Sequence, residues 1–139
     1  MDDARRVIVR IRLEKCAEDL KVARLLLSQG TYRIAVSRAY YAIFMLATAV
    51  LLTQDIARSK HSGVLAAFNQ YVVKPGLIEA EYGQIFQRAF KARMDADYSD
   101  SAYFNQEQAV QAIEDAERFV RRLETYLRET GALPDQDSD

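Results

Sequence analysis

Apolar side chains recur along this chain at intervals of three and four residues and almost nowhere in strict alternation, a pattern that predicts helices rather than strands. Over residues 7–29, Leu13, Cys16, Ala17, Leu20, Ala23 and Leu27 form one stripe, and Gly30 stands where a left-handed residue would end the helix. A second segment, 32–53, is apolar on nearly every side, with Ile34, Ala35, Val36, Ala39, Tyr40, Tyr41, Ile43, Phe44, Leu46, Val50 and Leu51. Such a helix must be covered all round, either as the centre of its own bundle or by a second subunit. A third helix is predicted over 59–72 around Val64, Leu65, Phe68, Tyr71 and Val72, closed by Lys74-Pro75-Gly76. A fourth, over 77–96, uses Ile78, Tyr82, Ile85, Phe86 and Ala89 as its stripe. A short polar loop, 98–104, follows. Asn105 with Gln108 three residues on has the form of a capping box, and the last helix presents Ala109, Ala112, Ile113, Ala116, Phe119, Val120, Leu123, Tyr126 and Leu127 on one side. The expected fold is all-α: an up-and-down antiparallel helical bundle of four long helices plus a shorter one, a single domain over 1–130. Gly131 and Pro134 stop the final helix, and 131–139 is expected to be a disordered acidic tail.

Composition narrows the chemistry. With 139 residues, half of them apolar, the chain is long enough for one core without staples. The single cysteine, Cys16, excludes an internal disulfide and a cysteine-rich metal centre, and a reducing setting fits it best. The single histidine, His61, excludes a ferritin-like di-iron bundle and a two-histidine zinc helix, so no metal and no cofactor is expected. The chain opens with acids and mixed charge rather than a signal-peptide pattern, and its longest charge-free run, 39–54, is shorter than a membrane span. A soluble cytoplasmic protein with no membrane partner is the expectation.

A net charge of −1 excludes recognition of nucleic acid by bulk charge, yet the charge is unevenly spread. Residues 1–60 carry eleven basic and six acidic side chains, whereas 61–139 carry eight and fourteen. Mutual attraction of helices from the two halves is the simpler explanation, and a phosphate-binding groove the alternative.

Three places stand out chemically. At 100° per residue, Arg93 falls about 60° from Ile78, between Tyr82 at about 40° and Phe86 at about 80°, so a cation lies in line with the apolar stripe. Asp97, at about 100°, lies close to the same side. Near a helix C-terminus such a cation also gains from the helix dipole, so an ion pair and a functional cleft both fit. Arg38 poses the same question on the second helix, as its wet edge or as part of a site. Lys60-His61-Ser62-Gly63 opens the third helix, where backbone N–H groups can hold a phosphate and a histidine can titrate near neutrality; capping or packing is the plainer role. The eight tyrosines and six phenylalanines fall at helical spacing and read first as core.

The segments Ser37-Arg38-Ala39-Tyr40-Tyr41-Ala42-Ile43-Phe44, Lys60-His61-Ser62-Gly63-Val64 and Arg93-Met94-Asp95-Ala96-Asp97-Tyr98 occur in this order, and together the chain resembles the HEPN domain family in its small stand-alone prokaryotic branch. The similarity spans about residues 10–128. It implies a helical bundle that forms a homodimer and is paired with a minimal nucleotidyltransferase, the HEPN member acting as an RNase toxin and its partner as the antitoxin. In active members an arginine followed four to six residues later by a histidine forms a metal-independent endoribonuclease site across the dimer cleft. Arg93 matches that arginine, but the position five residues on is Tyr98. Tyrosine, with a pKa near 10, is a poor base at neutral pH. Three assignments stay open: Tyr98 donates a proton as a weak acid beside Arg93, His61 enters the cleft from another helix, or the protein is a non-catalytic module that binds nucleotide, RNA or its partner. The candidate catalytic residues are Arg93, Asp97 and Tyr98, and the candidate nucleotide- or RNA-binding residues are Arg38, Lys60 and His61.

Overall fold

Helix boundaries in the computed structural model follow local chemistry closely. The structure describes residues 1–135. α1 (Asp3–Ser28) is capped by the Asp2 carboxylate, which accepts from the Arg5 N–H, and it ends at Gly30 with φ +75°. α2 (Tyr32–Leu52) follows after a three-residue turn. α3 (His61–Phe68) is short and runs on into a π-helical segment, Asn69–Val73. α4 spans Ala80–Tyr98 and α5 Gln106–Glu129. The α5 start is the expected capping box, with Gln108 N–H donating to Asn105 Oδ1 and Asn105 N–H to Gln108 Oε1. Among the described residues there is no strand, and the result is the expected bundle of four long helices and a shorter one.

α2 is the centre. It packs on α1, α3, α4 and α5, and twelve of its residues are buried, Tyr40, Ile43, Leu46 and Leu51 among them. Its apolar composition therefore needs no second subunit to cover it. By length and hydropathy alone it is the one described helix able to cross a membrane, but most of it is enclosed by its neighbours. An aromatic wall of Phe68, Phe86 and Phe119, with ring centroids 5.6–6.0 Å apart, joins α3, α4 and α5. Cys16 is buried on α1, and burial first, with Asp19 and Glu124 adding to it, pushes its thiol up to about 12; it is a packing group, not a nucleophile.

Several boundaries depart from the periodicity reading: α1 begins four residues before 7 and α3 two residues after 59. The third helix does not stay α-helical to 72: its last turn widens at Asn69, and the Val72 carbonyl then receives both Leu77 N–H and Ile78 N–H. Gly83 lets α4 approach this widened turn, since a Cβ there would stand 2.6 Å from Asn69 Oδ1 and 3.2 Å from Val73 Cγ2. α4 begins three residues late and ends two residues late, which moves Arg93 out of its last turn. Beyond α5, Ala132 and Leu133 are buried and Arg6 Nε donates to the Gly131 carbonyl at 3.2 Å, so the bundle extends past 130. Of the tail expected to be disordered, 136–139 lie outside the described residues.

Candidate functional site

Arg93 lies where the helical wheel put it, facing inward. Its side chain is 14% exposed, and its guanidinium carbon sits 5.7, 5.4 and 5.7 Å from the ring centroids of Tyr40, Tyr41 and Tyr98. Arg93 Nη2 donates to Tyr41 Oη at 3.0 Å. Asp97, one turn on, brings Oδ2 to 2.9 Å from Arg93 Nε. The N–H is not aimed at that oxygen, so the contact is an ion pair rather than a hydrogen bond and the buried Nε keeps no hydrogen-bond acceptor. The other carboxylate oxygen of Asp97 accepts from Ser37 Oγ of α2 at 2.8 Å. Burial opposes the charge on Arg93, but Tyr41 and Asp97 outweigh it and hold the guanidinium pKa above its ordinary value. A permanent cation is thus fixed among three tyrosines.

The dipole rationale for Arg93 fails, because α4 continues to Tyr98 and the effect fades within the last turn. Two acids, Asp95 and Asp97, occupy that turn instead. Their unfavourable placement is offset by Arg33 of α2, which donates to the Ala96 carbonyl at 3.2 Å, and by the Ser37 and Arg93 contacts of Asp97. α2 therefore grips the C-terminal end of α4 through polar links as well as packing.

His61 reaches the same cluster from α3. Its Nδ1 is 2.8 Å from Tyr40 Oη, a hydrogen bond whose direction follows the tautomer. The ring stacks on Phe44, with centroids 4.1 Å apart and planes 13° from parallel, and meets Tyr41 edge-on at 6.1 Å. Tyr40 and Tyr41 thus neighbour both His61 and Arg93. Burial, and after it the nearby Arg93 charge, hold the His61 pKa below its ordinary value, so the imidazole is neutral at pH 7. Tyr40 is fully buried and burial pushes its phenol well up, so it stays protonated.

The remaining candidates separate. Tyr98 lies over Arg93 while remaining 68% exposed. Arg38 turns toward α1, where Nη1 is 3.3 Å from Asp19 Oδ1; it marks the outer edge of α2 and is not gathered with Arg93. Lys60 is exposed at the N-cap of α3, beside His61 in sequence, and its side chain makes no cap hydrogen bond. Nor do the two charge halves embrace as expected. Arg24–Glu117 joins them at 3.4 Å, but Arg5–Asp55, Arg38–Asp19, Arg88–Asp115 and Arg122–Glu79 each close within one half. An apolar groove of about 260 Å³ with Tyr40 in its lining runs between α2, α4 and α5, walled by Val36, Ala39, Ile85, Ala89 and Ala112. Among the described residues no three His, Cys, Asp or Glu side chains cluster to hold a metal ion.

The HEPN domain model matches residues 9–126. The chain belongs to the HEPN domain family. It is 41% identical over 117 residues to Putative toxin MJ0605 of Methanocaldococcus jannaschii, covering 84% of this chain and 87% of that one. A UPF0332 protein of Thermotoga maritima is 38% identical over 120 residues, covering 86% and 89%. The crystal structure of TT1696 from Thermus thermophilus superposes with a TM-score of 0.72 over 86% of this chain and 98% of that one; at 20% identity it speaks for the fold alone.

Proposed function

We propose that this HEPN-family protein is a toxin-like endoribonuclease that clamps an RNA phosphodiester at Arg93 and draws its proton-transfer group from His61 rather than from the usual position of the motif. The observation that carries this reading is the shared pair of tyrosines, Tyr40 and Tyr41, which brings a neutral imidazole and a permanent guanidinium together. Arg93 binds a non-bridging phosphate oxygen in part-exchange for Asp97. With Nδ1–H donating to Tyr40 Oη, His61 Nε2 carries the lone pair and takes the proton of the ribose 2′-hydroxyl. The 2′-oxygen attacks phosphorus and the P–O5′ bond breaks. A 2′,3′-cyclic phosphate and a 5′-hydroxyl result, Tyr98 giving the leaving oxygen its proton from the exposed edge of the site. The groove that Tyr40 helps to line takes a base. Met94, Tyr98 and Tyr103 are exposed around the end of α4 and form the lip of a cleft that a second copy closes. The name of the archaeal relative supports a toxin and hence an antitoxin, for which a minimal nucleotidyltransferase is the partner we propose.

A second reading has its own support. Tyr98 stands where active members carry histidine, and Asp97 already meets the Arg93 charge. On this reading the protein binds nucleotide, RNA or its partner without cutting.

Metal-free incubation with labelled structured and single-stranded RNA tests the proposal. Cleavage ending in cyclic phosphate is expected, with His61→Ala slower by roughly 10²-fold or more and Arg93→Gln by a similar factor. Intact RNA together with measurable nucleotide or RNA binding supports the second reading. Intact RNA without binding overturns both.

A further inference from the structure

The groove between α2, α4 and α5 is apolar except where α4 and α5 bring a few polar side chains to it. Ala39, Ala89 and Ala112 leave space between their helices, and Val36, Ile85 and Tyr40 complete a slot of about 260 Å³. That is just below the range of pockets for drug-sized ligands, so the slot suits one planar ring system rather than a whole nucleotide. Gln108, Gln111 and Asp115 share one face of α5 with Ala112, and Arg88 of α4 stands beside them in the lining.

These polar groups have capacity to spare. The Asp115 side chain is only 16% exposed, yet only its Oδ1 accepts a hydrogen bond, from Gln111 Nε2 at 2.9 Å. Oδ2 accepts none from the described residues: Arg88 Nη2 stands 3.5 Å away, an ion pair without hydrogen-bond geometry. A sheltered carboxylate with open lone pairs on an apolar slot calls for donors. The Gln108 side-chain oxygen is taken up by the α5 capping box, which leaves its Nε2 as a donor. The lining thus offers acceptors at Asp115 and donors at Gln108 and Arg88. Among the RNA bases, guanine alone presents two adjacent donors, N1–H and N2–H, followed by an acceptor, O6, on its Watson–Crick edge. Adenine N1 and cytosine N3 would set a lone pair against the carboxylate, and uracil has one donor between two acceptors.

We propose that this groove is a guanine subsite, in which Asp115 accepts N1–H and N2–H of the base, Gln108 or Arg88 donates to O6, and the apolar walls cover the ring faces. The proposal names the base that the groove takes, and it rests on the endoribonuclease reading for the strand that delivers that base. Asp115 is then a specificity-determining residue; its partners, Gln111 and Arg88, lie outside the Arg93 cluster.

Titration of the full isotope-labelled chain with guanosine, inosine, adenosine and uridine, followed through its backbone amide signals, tests it. Guanosine should saturate with a dissociation constant of about 50–500 µM and shift the amides of Ala89, Gln111 and Ala112. Inosine, which lacks the N2 amino group, should bind roughly tenfold more weakly, and adenosine and uridine more weakly still. Asp115→Asn, nearly isosteric at a half-buried position, should lose guanosine affinity by roughly tenfold or more and gain xanthosine, whose C2 carbonyl accepts from the new amide while its N1–H donates to the amide oxygen. A carboxylate that only pairs with Arg88 would give no such exchange. Guanosine that binds no better than adenosine overturns the proposal, as does an Asp115→Asn chain with unchanged preference. So do groove shifts produced by N-acetylarginine amide and not by guanosine, which would make a partner protein's side chain the occupant. RNA left intact by a chain that binds guanosine selectively overturns the endoribonuclease reading alone, whereas cleavage by a chain blind to guanosine overturns the subsite alone.

Discussion

Asp97 is the joint between α2 and the end of α4, and its replacement separates two kinds of contact. In Asp97→Ala, Ser37 Oγ, on a residue only 7% exposed, loses its acceptor and Arg93 loses its counter-ion. A hydrogen bond to a charged group is worth about 1.5–3 kcal/mol, and a half-shielded ion pair adds about 1 kcal/mol. Ser37 can turn to a backbone carbonyl one turn back and Arg93 can lean toward solvent, which recovers part of the loss. The net cost is therefore about 2–3 kcal/mol. Asp97→Asn keeps an oxygen for Ser37 and loses only the charge, at about 1 kcal/mol. Urea unfolding followed by circular dichroism reads both as midpoint shifts at constant slope, and for a chain of this length the alanine variant should melt roughly 6–12 °C lower. The asparagine variant also frees the Arg93 charge, so an RNA oligonucleotide should bind it several-fold more tightly. Equal destabilisation by Ala and Asn, or a cost below about 0.5 kcal/mol for Ala, would refute the assignment of Asp97 as a two-sided link.

Two further outcomes follow from the same geometry. Because the fold holds His61 below its ordinary pKa, the unfolded chain binds the proton more readily; stability should rise with pH from that lowered value to about 6.5 and then level off, and the rise should vanish in His61→Gln. Urea midpoints of both proteins between about pH 5 and 8 measure this, and a wild-type excess slope of the opposite sign would count against it. Gly83→Ala should destabilise by about 1–2 kcal/mol in the same unfolding assay despite the better helix propensity of alanine, because its Cβ would press on Asn69 Oδ1 and Val73; a neutral or stabilised variant would show that the π-helical turn yields freely.

How far these features were legible depends on whether local pattern or packing decides them. The capping box at Asn105, the stop at Gly30 and the inward angle of Arg93 are local, and periodicity alone located them. The fate of Arg38 is not local. On a helix apolar all round, a wheel offers no reference direction, and only the position of Asp19 on α1 assigns Arg38 to the outside. His61 is the same case in reverse: no spacing ties it to Arg93, and the link exists because α3 folds back over Tyr40 and Phe44. The widened turn after Phe68 left no periodic trace, since Tyr71 and Val72 fit an unbroken helix equally well. What signal there was lay in Gly83, a glycine inside a helix whose neighbour must come close.

On the proposed reading, the cluster also accounts for a tyrosine at the position where the family resemblance implies a histidine. A guanidinium sheltered to 14% exposure needs compensation, and three ring faces within 5.7 Å, one phenol oxygen and one carboxylate provide it. Tyr98 contributes a ring face that a neutral imidazole would supply less well, and its exposed hydroxyl remains available to solvent or ligand. For the base of the proposed reaction, a place where it cannot add a second cation beside Arg93 is favourable, and His61, stacked on Phe44 with its pKa lowered by burial and by Arg93 itself, meets that condition. On the proposed reading Arg93 does two things with one charge: it would offer a site to an anionic ligand, and it helps keep the nearest histidine in the form that can accept a proton.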